Sequence, residues 1–529
     1  MEQEMTDLQN DEIESRAASQ LLREQPSLMK TTGSPKDAIF ERVYERYPMT
    51  RDAPEPVATT PAEDIRQLNH PIFRNSVASS DMDVVFVGTA SCTPGVTRGV
   101  SCTALRLNWR PRGAFGASND GDQSSTFYGG TWLFDVGECT QLQVQRSSAI
   151  KPSKITKIFL THAHGDHTLG LVGLLCLMGQ DRDRETDRPP VEIYGPEGLR
   201  MWLRIAIRYS ISRIVPPYRV HEIMDVPMAP EWELRPRFRR YFHNEYRVSN
   251  QGAQWGTKGL AGEDPISWIS QANRMSLEPS PFFSEVEGGR SIYPIYNHPR
   301  SYDGAPVWEV EDEGDVKVFA APMSHGIPCV GYVVEELSRP GRLKNEYVEP
   351  IVKRNIAALK QAGFKAPMKA MAVIKNLPPG GAFTFPDGTV VTHEDAVEAP
   401  RQGRKVVICG DTADSRALRG LALNADVIIH EATNAYLQGV DKDTSFREVT
   451  RDAITHGHST PQIAGAFCKA VNGKRLILNH FSARYKGDVS VDSLSIMMRI
   501  EMQAMKASGL NETQVAAAWD LMVLPIPQH

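Results

Sequence analysis

From Asp83 onward the chain alternates short apolar runs with longer amphipathic stretches. Eight runs rich in β-branched and aromatic residues read as buried strands: DVVFVG (83–88), TWLFD (131–135), KIFLT (157–161), VEIY (191–194), VKVFA (316–320), KVVICG (405–410), DVIIH (426–430) and RLILNH (475–480). Helix-like segments fall between several of them, at Thr168–Met178, Pro461–Val471 and Val491–Lys506. Strands alternating with helices predict an α/β layered domain. Two stretches break the rhythm. Residues 218–315 are rich in Pro, Gly and aromatics and carry Arg235, Arg237, Arg239 and Arg240. They read as an insertion whose arginines form a solvated face, with RNA contact as the alternative. Residues 339–375 hold nine basic side chains and two acids, a net charge of +7. Residues 1–80 read as a partly disordered N-terminal extension, with a short helix around Ile13 to Glu24 and then Pro-interrupted sequence.

Composition sharpens this only in places. The 529 residues are enough for a large core and suggest two to four units at about 150 residues each. The formal charge of −5 argues against a uniformly basic nucleic-acid coat, so the +7 segment stands out against an acidic chain. Seven dispersed cysteines with no C-x-x-C fit a reducing compartment better than a disulfide framework or a cysteine-rich zinc module. The longest nearly apolar run, Leu169 to Gly179, has 11 residues, where a membrane span needs about 20, so no membrane association is expected. The acidic start, with Glu2, Glu4, Asp7, Asp11, Glu12 and Glu14 before Arg16, resembles neither a signal nor a transit peptide. The expected compartment is cytoplasmic or nuclear, with an organelle left open.

The chemistry concentrates at Thr161-His162-Ala163-His164-Gly165-Asp166-His167, directly after the run KIFLT. Extended chain alternates its side chains, so His162 and His164 can share a side, and a turn at Gly165 can aim Asp166 and His167 at a second position. Imidazole and carboxylate suit borderline metals such as zinc, and manganese accepts the same set. His325, Asp411 and His480 stand at or just beyond the ends of other predicted strands, where α/β folds gather their sites. Seven ligands are too many for one tetrahedral ion but suit two. The expected division is His162, His164 and His325 on one metal and Asp166, His167 and His480 on the other, with Asp411 bridging. Paired metals are a recurring device for cleaving phosphoesters. Glu431 and His458 look chemical rather than ligating: a histidine oriented by a carboxylate can protonate a leaving oxygen. A surface His458 beside a capping Ser459 is the alternative.

Taken together, these motifs resemble ribonuclease Z, a metallo-β-lactamase-fold endonuclease family that trims the 3′ trailer from precursor tRNA. The resemblance covers about 81–217 and 316–525. It includes Phe86-Val87-Gly88-Thr89, Leu133-Phe134-Asp135-Val136-Gly137-Glu138, the histidine cluster, Gly195-Pro196-Glu197-Gly198-Leu199, and His325 leading to Gly331-Tyr332. It continues through Gly410-Asp411-Thr412, His430-Glu431-Ala432-Thr433, His458-Ser459-Thr460 and His480-Phe481-Ser482-Ala483-Arg484-Tyr485. Two departures are Gln402, where the family usually has Lys, and Cys139, where it usually has Gly.

The resemblance implies an αββα sandwich over 81–525, holding two Zn2+ per subunit. It implies a protruding tRNA-binding arm at about 336–390, which gives the basic segment a purpose. It implies cleavage that leaves a tRNA 3′-OH and a trailer 5′-phosphate. In that scheme Asp166 takes the proton of the attacking water, and His458, held by Glu431, protonates the leaving oxygen. Arg342, Lys344, Arg404, Thr460, Arg484 and Tyr485 are the expected RNA contacts. The 80 residues before the core are too few for the second half of the family's long form, so a homodimer is expected, one subunit's arm presenting tRNA to the other's site. The alternative is a small-molecule phosphodiesterase or sulfatase-like hydrolase of the same fold.

Overall fold

A computed structural model describes residues 36–48, 64–74, 80–107, 130–181, 189–210, 212, 214–228, 284–338 and 341–528. In its first half lie β1 (Met82–Gly88), β2 (Cys102–Leu107), β3 (Gly130–Phe134), β4 (Ile155–Phe159), β5 (Val191–Pro196), β6 (Tyr218–Ile223) and β7 (Ser291–Ile292). There follow β8 (Trp308–Asp312), β9 (Val316–Pro322), β10 (Val330–Glu336), β11 (Ala382–Thr384), β12 (Val390–Thr392), β13 (Lys405–Ile408), β14 (Val427–Glu431), β15 (Leu476–Asn479), β16 (Val515–Ala517) and β17 (Met522–Pro525). All eight predicted runs are strands, shifted by a residue or two at their ends.

The strands form two large sheets, ordered β17-β1-β2-β3-β4-β5-β6-β7 and β16-β15-β14-β13-β10-β9-β8. Period-two patterning decides what each face meets. Along β1, Val84 and Phe86 point into a core shared with Val318, Val406, Ile429 and Ile477 of the other sheet. Val85 and Val87 point the opposite way, onto Leu171, Leu174, Leu175 and Met178 of the helix Leu171–Asp181. On the second sheet, Ile428, Leu476 and Leu478 pack outward against Ala464, Phe467 and Cys468 of Pro461–Ala470 and Ile500 and Ala504 of Val491–Ser508. The layering is therefore helix, sheet, sheet, helix, the metallo-β-lactamase αββα sandwich. At its centre Phe159 stacks on Phe134 and Tyr194, ring centroids 5.0 and 4.7 Å apart. Truncating such a ring to Ala costs about 3–5 kcal/mol.

Direction matters more than order for the site. β3 to β7 run parallel, as do β13 to β16. Parallel strands end on one edge, so the residues that follow them are brought together.

Two segments differ from the sequence reading, the N-terminal extension and the insertion. Part of the expected N-terminal extension is built into the fold: Ile39, Val43, Tyr47 and Ile65 pack on Leu494 and Met498, and Ile72 enters the core between the sheets. The four-residue spacing of Ile39 and Val43 was a legible sign of a packed helix face. The helix expected around Ile13 to Glu24 lies outside the described residues. The insertion is narrower than 218–315, because β6 and β8 at its ends belong to the two sheets; Arg235, Arg237, Arg239 and Arg240 lie outside the described residues. Among the described residues no helix is long and apolar enough to cross a membrane.

The basic segment belongs to a second compact unit that includes residues 335–404. It has a small core of its own, with Val348, Ile351, Leu359, Ile374, Phe385 and Val391 buried. Its helices Asn345–Arg354, Ile356–Gln361 and Ala370–Lys375 leave Lys353, Arg354, Lys360 and Lys375 exposed, and Lys365 and Lys369 are exposed between the last two. The two ends of the segment meet: Glu336 N–H donates to the Arg404 carbonyl at 2.8 Å, and Arg404 Nε donates to Glu336 Oε2 at 2.8 Å. Gly403 permits this approach, since a Cβ there would lie 1.7 Å from the Glu336 carbonyl oxygen.

Candidate metal centre

The strand tips assemble the seven predicted ligands into two groups. His162, His164, His325 and Asp411 form one; Asp166, His167, Asp411 and His480 form the other. Asp411 belongs to both through different oxygens: Oδ2 lies 3.8 Å from His162 Nε2, while Oδ1 lies 3.4 Å from His167 Nε2 and 3.3 Å from His480 Nε2. The second group can be tested against a tetrahedral ion. Metal–ligand bonds of about 2.0–2.1 Å require ligand atoms about 3.3 Å apart. His167 and His480 present Nε2 atoms 3.3 Å apart, and Asp166 Oδ2 lies 3.5 and 3.4 Å from them. Five edges of one tetrahedron thus match a small cation. In the first group His164 turns Nδ1 inward, 3.0 Å from His162 Nε2 and 3.1 Å from His325 Nε2. The donor set and its spacing fit a divalent ion at each position.

The outer nitrogens of the Nε2 ligands are held too, as metal-binding imidazoles require. His167 Nδ1 donates to Asp135 Oδ2 at 2.8 Å, and His325 Nδ1 to the Gly457 carbonyl at 2.9 Å. Thr161 Oγ1 donates to Asp135 and so accepts from His162 Nδ1 at 2.9 Å. Asp135 was quoted from sequence only as part of a motif; its place at the tip of β3, beside the other strand-end ligands, was the signal for a role. Asp135 and His480 both adopt left-handed backbone, with φ of 61° and 56°. Non-glycine residues in that region cluster where surrounding structure imposes a functional geometry. Gly137 lets the chain close over the cluster, because a Cβ there would lie 2.1 Å from the Asp166 carbonyl oxygen. Cys139 has φ of 65°, a conformation glycine enters freely, which explains why glycine suits that position.

Electrostatics favour cation binding. Burial lowers His162 well below its usual pKa and takes His325 down to about 4, which keeps their lone pairs available. Burial opposes ionisation of Asp411 and Asp166, yet His480 and His167 hold both carboxyls well below the carboxylate range. Burial also opposes charge on His167, but Asp411 and Asp135 raise it well above its ordinary value. The carboxylates therefore create a negative potential strong enough to hold a proton where a metal would replace it.

Residues 119–175 match the family model of the metallo-β-lactamase superfamily. The mouse protein named zinc phosphodiesterase ELAC protein 1 is 33% identical over 448 residues, covering 84% of this chain and 99% of the mouse protein. This chain belongs to the ribonuclease Z/ELAC family. The ribonuclease Z of Lactiplantibacillus plantarum is 28% identical over 447 residues, covering 84% of this chain and 99% of its own length. The crystal structure of the human short-form tRNase Z, ELAC1, aligns with 84% of this chain and 100% of its own at 25% identity and a TM-score of 0.44.

Within this ribonuclease Z-family centre, Glu431 and His458 form the predicted pair. His458 Nδ1 lies 3.2 Å from Glu431 Oε2. Burial would lower His458, but the Glu431 carboxylate outweighs it and raises the pKa to about 9. Glu431 is 2% exposed and accepts from Thr412 N–H, Ser459 N–H, Thr433 Oγ1 and His458. Ser459 is thus part of the site rather than a helix cap.

The expected RNA contacts divide. Arg342 and Lys344 are exposed on the basic unit. Arg404 is fully buried against Glu336, so its charge is already used and it offers nothing to RNA. Tyr485 is 1% exposed, its hydroxyl donating to the Ala435 carbonyl, and Thr460 is also 1% exposed. Neither is a surface contact. Arg484 is partly exposed but paired with Asp441. The resemblance motifs suggested Thr460, Arg484 and Tyr485; burial, which decides accessibility, is a tertiary property.

Proposed function

We propose that this chain is a zinc-dependent endoribonuclease that removes the 3′ trailer from precursor tRNA, working as a homodimer with two Zn2+ per subunit in the cytoplasm or nucleus. The observation that carries the reading is the pair of ligand groups sharing Asp411, with the Glu431–His458 pair beside them. Bound at these ligands, divalent cations would supply Lewis acidity and an activated water near neutral pH.

The chain's own groups supply the rest. Asp166, kept ionised by His167 and His480, accepts the proton of the attacking water. As the water oxygen bonds to phosphorus, the bond from phosphorus to the tRNA 3′-oxygen breaks. His458 has Nδ1 committed to Glu431, and its side chain is 20% exposed, so Nε2–H is the group free to protonate that oxygen. The products are a tRNA 3′-OH and a trailer 5′-phosphate. The exposed lysines of the basic unit bind the tRNA backbone, which supplies affinity without sequence preference.

The test is incubation of purified protein with a 3′-extended precursor tRNA, with and without a chelator, mapping the cut to the nucleotide. Chelator-sensitive cleavage at the base of the trailer, leaving a 3′-OH on the tRNA, is expected. Turnover of small phosphodiesters with no cleavage of precursor tRNA would favour the small-molecule hydrolase instead.

A further inference from the structure

We infer that the Thr433 hydroxyl is a positioning group that ties the second metal position to the proton-donating pair. It sets the tautomer of His480 and orients Glu431 at the same time. The inference deepens the reading above for the pair, but its claim on His480 stands without any substrate.

The argument is a count of protons. A threonine hydroxyl has one proton and two lone pairs. Thr433 Oγ1 lies 2.5 Å from Glu431 Oε2, 2.9 Å from the His480 carbonyl oxygen and 3.0 Å from His480 Nδ1. The first two neighbours are acceptors only, and the ionised carboxylate is the stronger of them. The single proton is committed between them, so only a lone pair faces His480 Nδ1. That nitrogen must therefore carry its own hydrogen. Nε2 is then the nitrogen whose lone pair an ion can take: it lies 3.3 and 3.4 Å from Asp411 Oδ1 and Asp166 Oδ2, where a proton held between it and the carboxylates is the one a metal would displace. Thr433 is 6% exposed, so no bulk water can take over these bonds. The same hydroxyl is one of the donors that hold Glu431 against His458. One side chain thus sits between a metal ligand and the carboxylate of the acid, and neither partner can be reoriented without the other.

Thr433→Val keeps the shape and removes the hydroxyl. In full-length protein titrated with zinc against a chromophoric chelator, one of the two zinc affinities should fall about 10–100-fold, the usual cost of deleting a ligand's outer partner. The other affinity should not move. At saturating zinc, kcat on precursor tRNA should drop with KM unchanged. Turnover of bis(4-nitrophenyl) phosphate, whose leaving group needs no proton, should fall less. Thr433→Ser should restore both zinc affinities and kcat. Wild-type zinc affinities in Thr433→Val, or failure of Thr433→Ser to rescue, would overturn the inference. If Thr433→Val does not fold, the histidine 15N spectrum of the zinc-loaded wild type decides: an unprotonated Nδ1 on His480 refutes it. The zinc and 15N readings use no RNA, so they judge this inference even if precursor tRNA is not the substrate.

Discussion

Glu501 is the group whose removal should most weaken the join between the N-terminal segment and the sandwich. It lies in the helix Val491–Ser508 and is 3% exposed. Oε2 accepts from Arg46 Nη1 at 2.6 Å, while Oε1 lies 3.0 Å from His70 Nε2 and accepts the Ala517 N–H at 3.0 Å. Burial would raise its pKa, but His70 and Arg46 outweigh it and lower the value from 4.5 to about 2. At 1.36 kcal/mol per unit, that difference corresponds to about 3 kcal/mol of folding free energy. Because the folded pKa is depressed, this stability is fully present above about pH 4.5 and is lost as pH falls towards 2. Glu501→Gln keeps the shape and one acceptor but removes the carboxylate 2.6 Å from the largely buried Arg46, with the half-exposed Glu512 carboxylate 3.6 Å away as a weaker substitute; breaking a buried ion pair costs about 3–5 kcal/mol elsewhere. The assay is urea unfolding followed by tryptophan fluorescence, Trp519 lying 5.8 Å from the His70 ring. The wild-type advantage should be about 3 kcal/mol at pH 7, hold to about pH 5, and shrink between pH 4.5 and 2. An advantage below about 1 kcal/mol at pH 7, or one indifferent to acid, would refute the reasoning.

Three further outcomes test the site and the basic unit. His458→Ala should lower kcat on precursor tRNA by about 10²–10⁴-fold and spare bis(4-nitrophenyl) phosphate, because only the natural leaving group needs the proton; equal losses on both substrates would place His458 elsewhere in the chemistry. Asp135→Asn removes the acceptor that His167 Nδ1 and Thr161 share, so zinc affinity measured by chelator competition should drop about 10–100-fold, and an unchanged affinity would remove Asp135 from the support of the site. Replacing Lys360, Lys365, Lys369 and Lys375 with Ala should flatten the plot of log affinity for tRNA against log salt by about 3, with small-ester turnover unaltered. The same slope in both proteins would show that these lysines do not meet phosphate.

Much of the centre was legible because its chemistry is written in local runs. Four ligands fall within His162–His167, and each remaining ligand follows an apolar run that is readable as a strand. Whether Ser459 caps a helix was open in the sequence, because its N–H partner, Glu431 at 3.1 Å, lies 28 positions away. Thr433 and Asp135 were visible only as motif letters, because their roles depend on neighbours far away in sequence. Arg404 misled because a basic residue beside a basic segment looks like an RNA contact, whereas it closes a buried ion pair with Glu336, 68 positions earlier.

The sequence by itself determined the strands, their two-residue alternation and the kinds of ligand atom available, since these follow from local sterics and side-chain chemistry. The tertiary structure decided which oxygen of Asp411 faces which histidines, which ring nitrogen of each histidine carries a proton, and which charges are shielded from solvent. Those choices depend on distances of about 3 Å between atoms hundreds of residues apart. Only packing the two sheets against each other sets such distances.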